Sequence, residues 1–263
     1  MYLTPPSGMD VREGFCLRNW NKNIVNHIKS LGFKQCVADN CLFVKRVGGK
    51  MYLISLYVDD ILVAGSDLDE VERIKRQFTE HYEMKDFGEL NYYLGMKITR
   101  SEEYIKLDQS GYVREILEKY SHLLRGKEGK TVNTPMERDL KFRKSEARTM
   151  SKDQQAYVAN FPYQNIVGAL LYLALNTRPD ISYAVGVLAR FNNNPIYRAC
   201  KALIRLLLYL RSTPTIGLKF YGNEFNLFGY SDADWAGDLD SRRSTTVYVV
   251  HDQLHGNPNC KQL

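Results

Sequence analysis

The chain has 263 residues, 44% of them hydrophobic, and 36 Lys and Arg against 30 Asp and Glu give a formal charge of +6, enough for one sizeable core or two smaller ones. The longest uninterrupted apolar run, Ala169 to Leu175, falls far short of the roughly 20 residues a bilayer requires, and no signal-type apolar region opens the sequence, so a globular intracellular protein without a membrane partner is expected. Five cysteines (Cys16, Cys36, Cys41, Cys200 and Cys260) form no CxxC pair, which argues against a disulfide framework or a zinc ribbon.

In chain order, residues 1 to 12 carry Pro5, Pro6 and Gly8 and read as a loop, and Asn19 to Leu31 has helical apolar spacing. Leu42 to Val47 reads as a strand. The apolar runs Met51 to Tyr57 and Ile61 to Ala64 flank Val58-Asp59-Asp60, which predicts a β-hairpin with two carboxylates at its tip. Asp67 or Asp69 caps a helix to about Tyr82, with Val71, Ile74 and Phe78 on one face. Leu90 to Thr99 and Tyr104 to Leu107 are expected to pair around Ser101-Glu102-Glu103, and Asp108 to start a helix through about His122. Gly126 to Ala156 is polar, basic and weakly periodic, and reads as a linker with some local helix. Three helices follow, Tyr163 to Leu175, Asp180 to Phe191 and Ile196 to Arg211, broken at Arg178-Pro179 and at Asn192 to Pro195. Leu218 to Tyr221, Phe225 to Tyr230 and Thr245 to Val250 are strand-like.

Basic residues crowd from Lys119 through Lys152, among them Arg125, Lys127, Lys130, Arg138, Lys141, Arg143, Lys144 and Arg148. Such a run is either a solvated face or a sequence-independent, salt-sensitive phosphate contact. His251, His255 and Cys260 are grouped in the tail, but three donors there suit a solvated segment better than a metal site. For Asp59 and Asp60 two readings compete. Aspartate favours turns for its own backbone hydrogen bonding; yet carboxylates a few Å apart repel by several kcal/mol at an effective dielectric near ~20. A divalent cation would relieve that repulsion, and a rigid hairpin presenting both oxygens suits Mg2+ held jointly with substrate phosphates.

The run Tyr57-Val58-Asp59-Asp60-Ile61-Leu62-Val63 resembles the YVDD hairpin of reverse transcriptases. Asp86-Phe87-Gly88-Glu89-Leu90 and Tyr93-Leu94-Gly95-Met96-Lys97-Ile98 are similar to the copia-type segment that follows the palm. Thr134-Pro135-Met136, Tyr163, Val167 to Leu173 and Thr177-Arg178-Pro179-Asp180-Ile181 resemble the stretch joining polymerase to RNase H. Gly229-Tyr230-Ser231-Asp232-Ala233-Asp234-Trp235-Ala236-Gly237 with Arg242-Arg243-Ser244-Thr245 resembles the first RNase H strands. The resemblance, to copia-type retrotransposon polyproteins, implies an RNA-directed DNA polymerase using Mg2+, an RNA template, a DNA primer and deoxynucleotides. It makes Asp59 and Asp60 the catalytic, metal-binding carboxylates, Tyr57 part of the nucleotide site, Leu94 and Gly95 part of the primer contact, and Asp232 the first RNase H metal ligand. It also implies a cytoplasmic location, with a virus-like particle as an alternative.

The expected fold class is α+β: a partial polymerase palm (1–100), a thumb-like region with basic linker (101–160), a helical connection (161–222) and an incomplete RNase H-like sheet (223–263). The chain departs from the family pattern in several places. Met1 to Gly8 resembles the piece just after the strand that carries the family's other polymerase aspartate, Arg12 to Asn21 is shorter than the template and nucleotide-binding stretch although Trp20 keeps its end, and Asp10 is the only aspartate before Asp39. Ala199 and Cys200 stand where His and Trp are usual, and Val247 where glycine is. Since two-metal transfer needs further carboxylates, the chain is expected not to polymerise alone, unless upstream or downstream polyprotein segments complete it. The alternatives are a non-catalytic nucleic-acid-binding remnant and a degenerate retroelement product without selected function.

Overall fold

In the computed structural model, residues 17–138, 140–221 and 227–252 are described, and the chain divides into two compact units, Met1–Glu89 and Leu90–Leu263. The class is α+β, with three antiparallel sheets.

Unit 1 begins with α1 (Leu17–Ser30), then β1 (Lys34–Gln35), β2 (Leu42–Val47), β3 (Lys50–Tyr57), β4 (Asp60–Gly65) and α2 (Leu68–His81), with the strands in the order β1-β2-β3-β4. Period-two alternation buries Tyr52, Ile54 and Leu56 of β3 on one face. Ile24 and Ile28 of α1 and Ile74 and Phe78 of α2 join them in one core with Phe43 and Ile61. The Asp67 carboxylate caps α2 by accepting from the Asp69 backbone N–H, a bond of the kind that contributes about 1 kcal/mol. Between the helices, the His27 and His81 rings lie 4.5 Å apart, and His27 Nε2 is buried without a hydrogen-bond partner. Burial, and then the neighbouring His81, lower the His27 pKa below its ordinary 6.5.

Unit 2 contains β5 (Tyr92–Tyr93), β6 (Met96–Arg100), β7 (Tyr104–Asp108), α3 (Ser110–Lys119), α4 (Lys152–Ala159), α5 (Tyr163–Asn176), α6 (Ser182–Ala189), α7 (Tyr197–Ser212), β8 (Gly217–Tyr221), β9 (Leu227–Ala233) and β10 (Thr246–Asp252). Short 3-10 turns occupy Ser121–Leu124, Lys144–Thr149 and Pro179–Ile181. Its core is helical: Leu203, Leu206, Leu207 and Leu210 of α7 meet Ile166, Leu170 and Leu173 of α5, Val185 and Leu188 of α6, and Val113 and Ile116 of α3.

Several elements differ from the sequence expectation. Gly126 to Ala156 is no free linker, because Val132 and Phe142 are buried in the helical core and Met136, Leu140 and Met150 pack against it. Its apolar anchors are real but irregularly spaced, so no period announces them. The expected strand Leu90 to Thr99 breaks at Leu94-Gly95 into β5 and β6. Asp108 ends β7 rather than opening a helix, and its carboxylate accepts from the Ser110 N–H while α3 starts one residue later than Gln109. The helix expected from Asp180 begins as a 3-10 turn with Pro179 in its first positions. β8 pairs with β7, Gly217 opposite Asp108 and Tyr221 opposite Tyr104, closing the sheet β5-β6-β7-β8. Phe225 and Asn226, the start of another expected strand, lie outside the described residues, as do the side chains of His251, His255 and Cys260.

One polar network threads this apolar core. The Arg178 side chain, fully buried, donates from Nε and Nη2 to the two oxygens of Asp180 at 2.9 and 2.8 Å, and from Nη1 and Nη2 to the carbonyl and hydroxyl of Thr213, each at 2.9 Å. Tyr209 adds its hydroxyl to Asp180 at 2.9 Å. A guanidinium can be dehydrated only where its donors are matched in this way.

Asp180→Ala is expected to cost about 3–5 kcal/mol because it strands that buried cation, measured by urea denaturation followed by circular dichroism; a loss under 1 kcal/mol, a fifth of the upper figure, would contradict the assignment. For His27 the unfolded chain binds a proton at higher pH than the folded one. Its stabilising contribution is therefore intact above its ordinary value near 6.5 and declines as the pH falls through and below it. The thermal midpoint should drop between about pH 7.5 and 5, and His27→Gln should flatten that slope.

Candidate functional site

The hairpin β3–β4 carries the paired aspartates. Tyr57 is paired with Asp60, so the loop is the two residues Val58-Asp59, with Asp60 opening β4. Val58 has φ of 51°. Two-residue hairpin loops need φ > 0 at the first position, where glycine or asparagine normally stands. A β-branched side chain there is strained, and such strain survives only where surroundings impose it. One such imposition is visible: the indole N–H of Trp20, a buried residue of α1, donates to the Val58 carbonyl at 3.3 Å. The Trp20 ring is itself held edge-on against Tyr82 with centroids 5.4 Å apart.

Asp59 is exposed and Asp60 half-buried, and Tyr57 is 52% exposed. Neither aspartate carboxylate has a hydrogen-bond or ion-pair partner among the described residues. Both can therefore accept a cation or the donors of a ligand. No cluster of three or more His, Cys, Asp or Glu side chains suited to a metal occurs among the described residues. The pair fits Mg2+ only in part: this ion takes one or two protein carboxylates and completes its octahedron with phosphate and water oxygens.

The second place is the β5–β6 turn. Leu94 and Gly95 have φ of 49° and 74°, and Tyr93 pairs with Met96 across them, the pattern of a type I′ hairpin. The Tyr172 hydroxyl of α5 donates to the Leu94 carbonyl at 2.8 Å. Gly95 answers a double demand, since an added Cβ would sit 3.1 Å from that hydroxyl in a backbone conformation already unfavourable to it.

The third place is the ribbon β9–β10. Asp232, exposed and opposite Val247, accepts from the Ala233 N–H. Asp234 instead ties the connecting loop, its Oδ1 accepting from the Thr245 and Gly237 N–H groups. The candidate residues thus lie on separate elements: Tyr57, Asp59 and Asp60 in unit 1, Leu94, Gly95 and Asp232 in unit 2. Exposed Arg125, Lys130, Arg138, Lys141, Arg143, Lys144 and Arg148 make a basic surface of the 119–152 segment, whose apolar residues anchor it from beneath.

Residues 15–138 match the family model described as reverse transcriptase (RNA-dependent DNA polymerase). The chain is 37% identical, over 88% of its length, to the retrovirus-related Pol polyprotein from transposon TNT 1-94 of Nicotiana tabacum, and 35% identical, over 89%, to that from transposon RE1 of Arabidopsis thaliana. It is 31% identical, over 88% of its length and 72% of the relative's, to a putative transposon Ty5-1 protein of Saccharomyces cerevisiae. The chain belongs to the reverse transcriptase family of copia-type retrotransposon polyproteins. It spans 17% and 15% of the two plant polyproteins. No solved structure matches it, and no described helix is long and apolar enough to cross a membrane.

Within this family membership, Trp20 and Tyr172 are the side chains whose part at the two turns spacing could not disclose. Each acts on a backbone carbonyl far away in sequence, and the one signal was an aromatic residue with a polar atom on a helix. Val58→Gly should relieve the strain at the aspartate turn and raise stability by about 1 kcal/mol, read as a shift in the urea midpoint at unchanged slope.

Proposed function

We propose that this chain is the part of a copia-type reverse transcriptase that presents the YVDD carboxylates, the primer contact and the opening of RNase H, and that it binds template and primer without polymerising alone. The observation that carries this is the β3–β4 turn: two neighbouring carboxylates without partners among the described residues, on a strained loop pinned by Trp20. In this reading Asp59 and Asp60 hold Mg2+ together with the nucleotide phosphates, and the ion supplies charge neutralisation for nucleotidyl transfer. Tyr57, beside them, borders the incoming deoxynucleotide. Leu94 and Gly95 meet the DNA primer end, and Asp232 serves as the first RNase H carboxylate. Residues 1–100 are then a partial palm. The rest of the chain supplies a thumb-like and basic region, a helical connection and the first RNase H-like strands.

Binding without chemistry is favoured by the absence of a third metal-ligating side chain near the pair among the described residues. A two-metal site must clamp both the attacking and the leaving oxygen, so a carboxylate from outside the described residues would have to complete it. The exposed cations between Arg125 and Arg148 provide the phosphate contacts that such binding needs.

Primer extension on an RNA template with Mg2+ and then Mn2+, beside Asp59→Asn, tests the reading. The expected result is no incorporation, together with template binding whose affinity falls steeply with salt. Incorporation that Asp59→Asn abolishes would show a complete site in this chain, and absence of any binding would remove the nucleic-acid reading altogether.

A further inference from the structure

Among the described strands of its sheet, β5 is too short to hold a turn in place by itself. It has two residues, Tyr92 and Tyr93, paired with Lys97 and Met96, the ladder is extended by one bond from the Ile98 N–H to the Asn91 carbonyl, and an isolated short hairpin is marginal in water. Yet the turn it carries keeps an aliphatic residue, Leu94, in the left-handed region, which persists only under outside constraint.

Tyr172 is that constraint. Its helix α5 is locked into the core through Ile166, Val167, Leu170 and Leu173, all with no exposed surface. Its ring meets Tyr112 of α3 edge-on, with centroids 5.3 Å apart and planes at 88°. With the ring so placed, the hydroxyl donates to the Leu94 carbonyl, and Gly95 leaves just enough room for it. The best-packed part of unit 2 thereby fixes the tip of one of its shortest hairpins.

We infer that Tyr172 is a positioning residue that sets where the Leu94-Gly95 turn meets the 3′ end of a primer, acting through the Leu94 carbonyl and not by touching nucleic acid. This rests on the reading of Leu94 and Gly95 as the primer contact. The physical need is general: a reacting end misplaced by about 1 Å can lose a factor of roughly a hundred in rate, and so short a hairpin cannot supply that precision alone.

The test is Tyr172→Phe, which keeps the ring against Tyr112 and removes only the hydroxyl. Fluorescence anisotropy would compare two RNA–DNA duplexes of equal length at fixed salt, one with a recessed DNA 3′ end and one blunt. The unsubstituted chain is expected to prefer the recessed end. The variant should lose about fivefold of that preference, the scale of one neutral hydrogen bond, with blunt-duplex affinity unchanged and the thermal midpoint lowered by no more than about 2–4 °C. A variant that keeps the preference overturns the role of Tyr172, and so does equal weakening of both duplexes, which marks a merely structural residue. No end preference in the unsubstituted chain overturns the primer reading of the turn, and the inference with it.

Discussion

Unit 2 depends on the buried guanidinium of Arg178 and its ion pair with the partly buried Asp180. The guanidinium stands where α5 ends and the 3-10 turn into α6 begins, and it reaches across to Thr213, the residue that closes α7. Two helix C-termini, each with carbonyls unsatisfied by the helix itself, and the start of the 3-10 turn are thus drawn to one residue. The Arg178 N–H also returns to the Leu173 carbonyl, and the neighbouring Thr177 hydroxyl donates to buried Gln109 just ahead of α3. A Lys at this position would lack the planar fork needed to engage both oxygens of Asp180 and Thr213 together. The Thr177-Arg178-Pro179-Asp180-Ile181 run that suggested the family is, in this fold, a fastener of helices.

The two turns assigned to chemistry share a construction. At each, an aliphatic residue with positive φ offers its carbonyl to an aromatic donor on a helix: Val58 to Trp20, Leu94 to Tyr172. The donor differs, indole in one and phenol in the other, but both are rigid rings that meet a neighbouring aromatic edge-on, Trp20 against Tyr82 and Tyr172 against Tyr112. A long flexible donor such as lysine would lose far more side-chain entropy in the same role. Rigid scaffold and strained loop are complementary: the scaffold holds a backbone shape that the loop residues would not choose.

Much of this was legible in the sequence wherever one period governed one element. The hairpin strands β3 and β4, the helices α1 and α2, and the longer helices α5 and α7 begin and end within a few residues of the expected limits, because each buries a regular stripe or alternating face. Periodicity failed where a segment is anchored by isolated residues, as Val132 and Phe142 anchor the basic stretch. It failed too where a partner lies far along the chain, as β8 does for β7. At the candidate site, the motif placed Asp59 and Asp60 at a tip, where Asp59 lies in the turn and Asp60 is the first residue of β4. It could not reveal that Val58 takes a strained backbone, nor that Trp20 holds it, since both are products of tertiary packing.

The pairing of β7 with β8 has a kinetic side. Lys106 reaches the Thr215 carbonyl across 109 positions of sequence, and the ladder beside it closes a loop holding α3 to α7. Loop closure of that span is slow relative to the local helices inside it. On a ribosome adding about 5–20 residues per second, β7 would wait roughly 5–20 s for its neighbour, with one edge unpaired and open to other chains. Its alternating Lys106 and Asp108, charges on a waiting edge, are the kind of residue that discourages such encounters until β8 has been made.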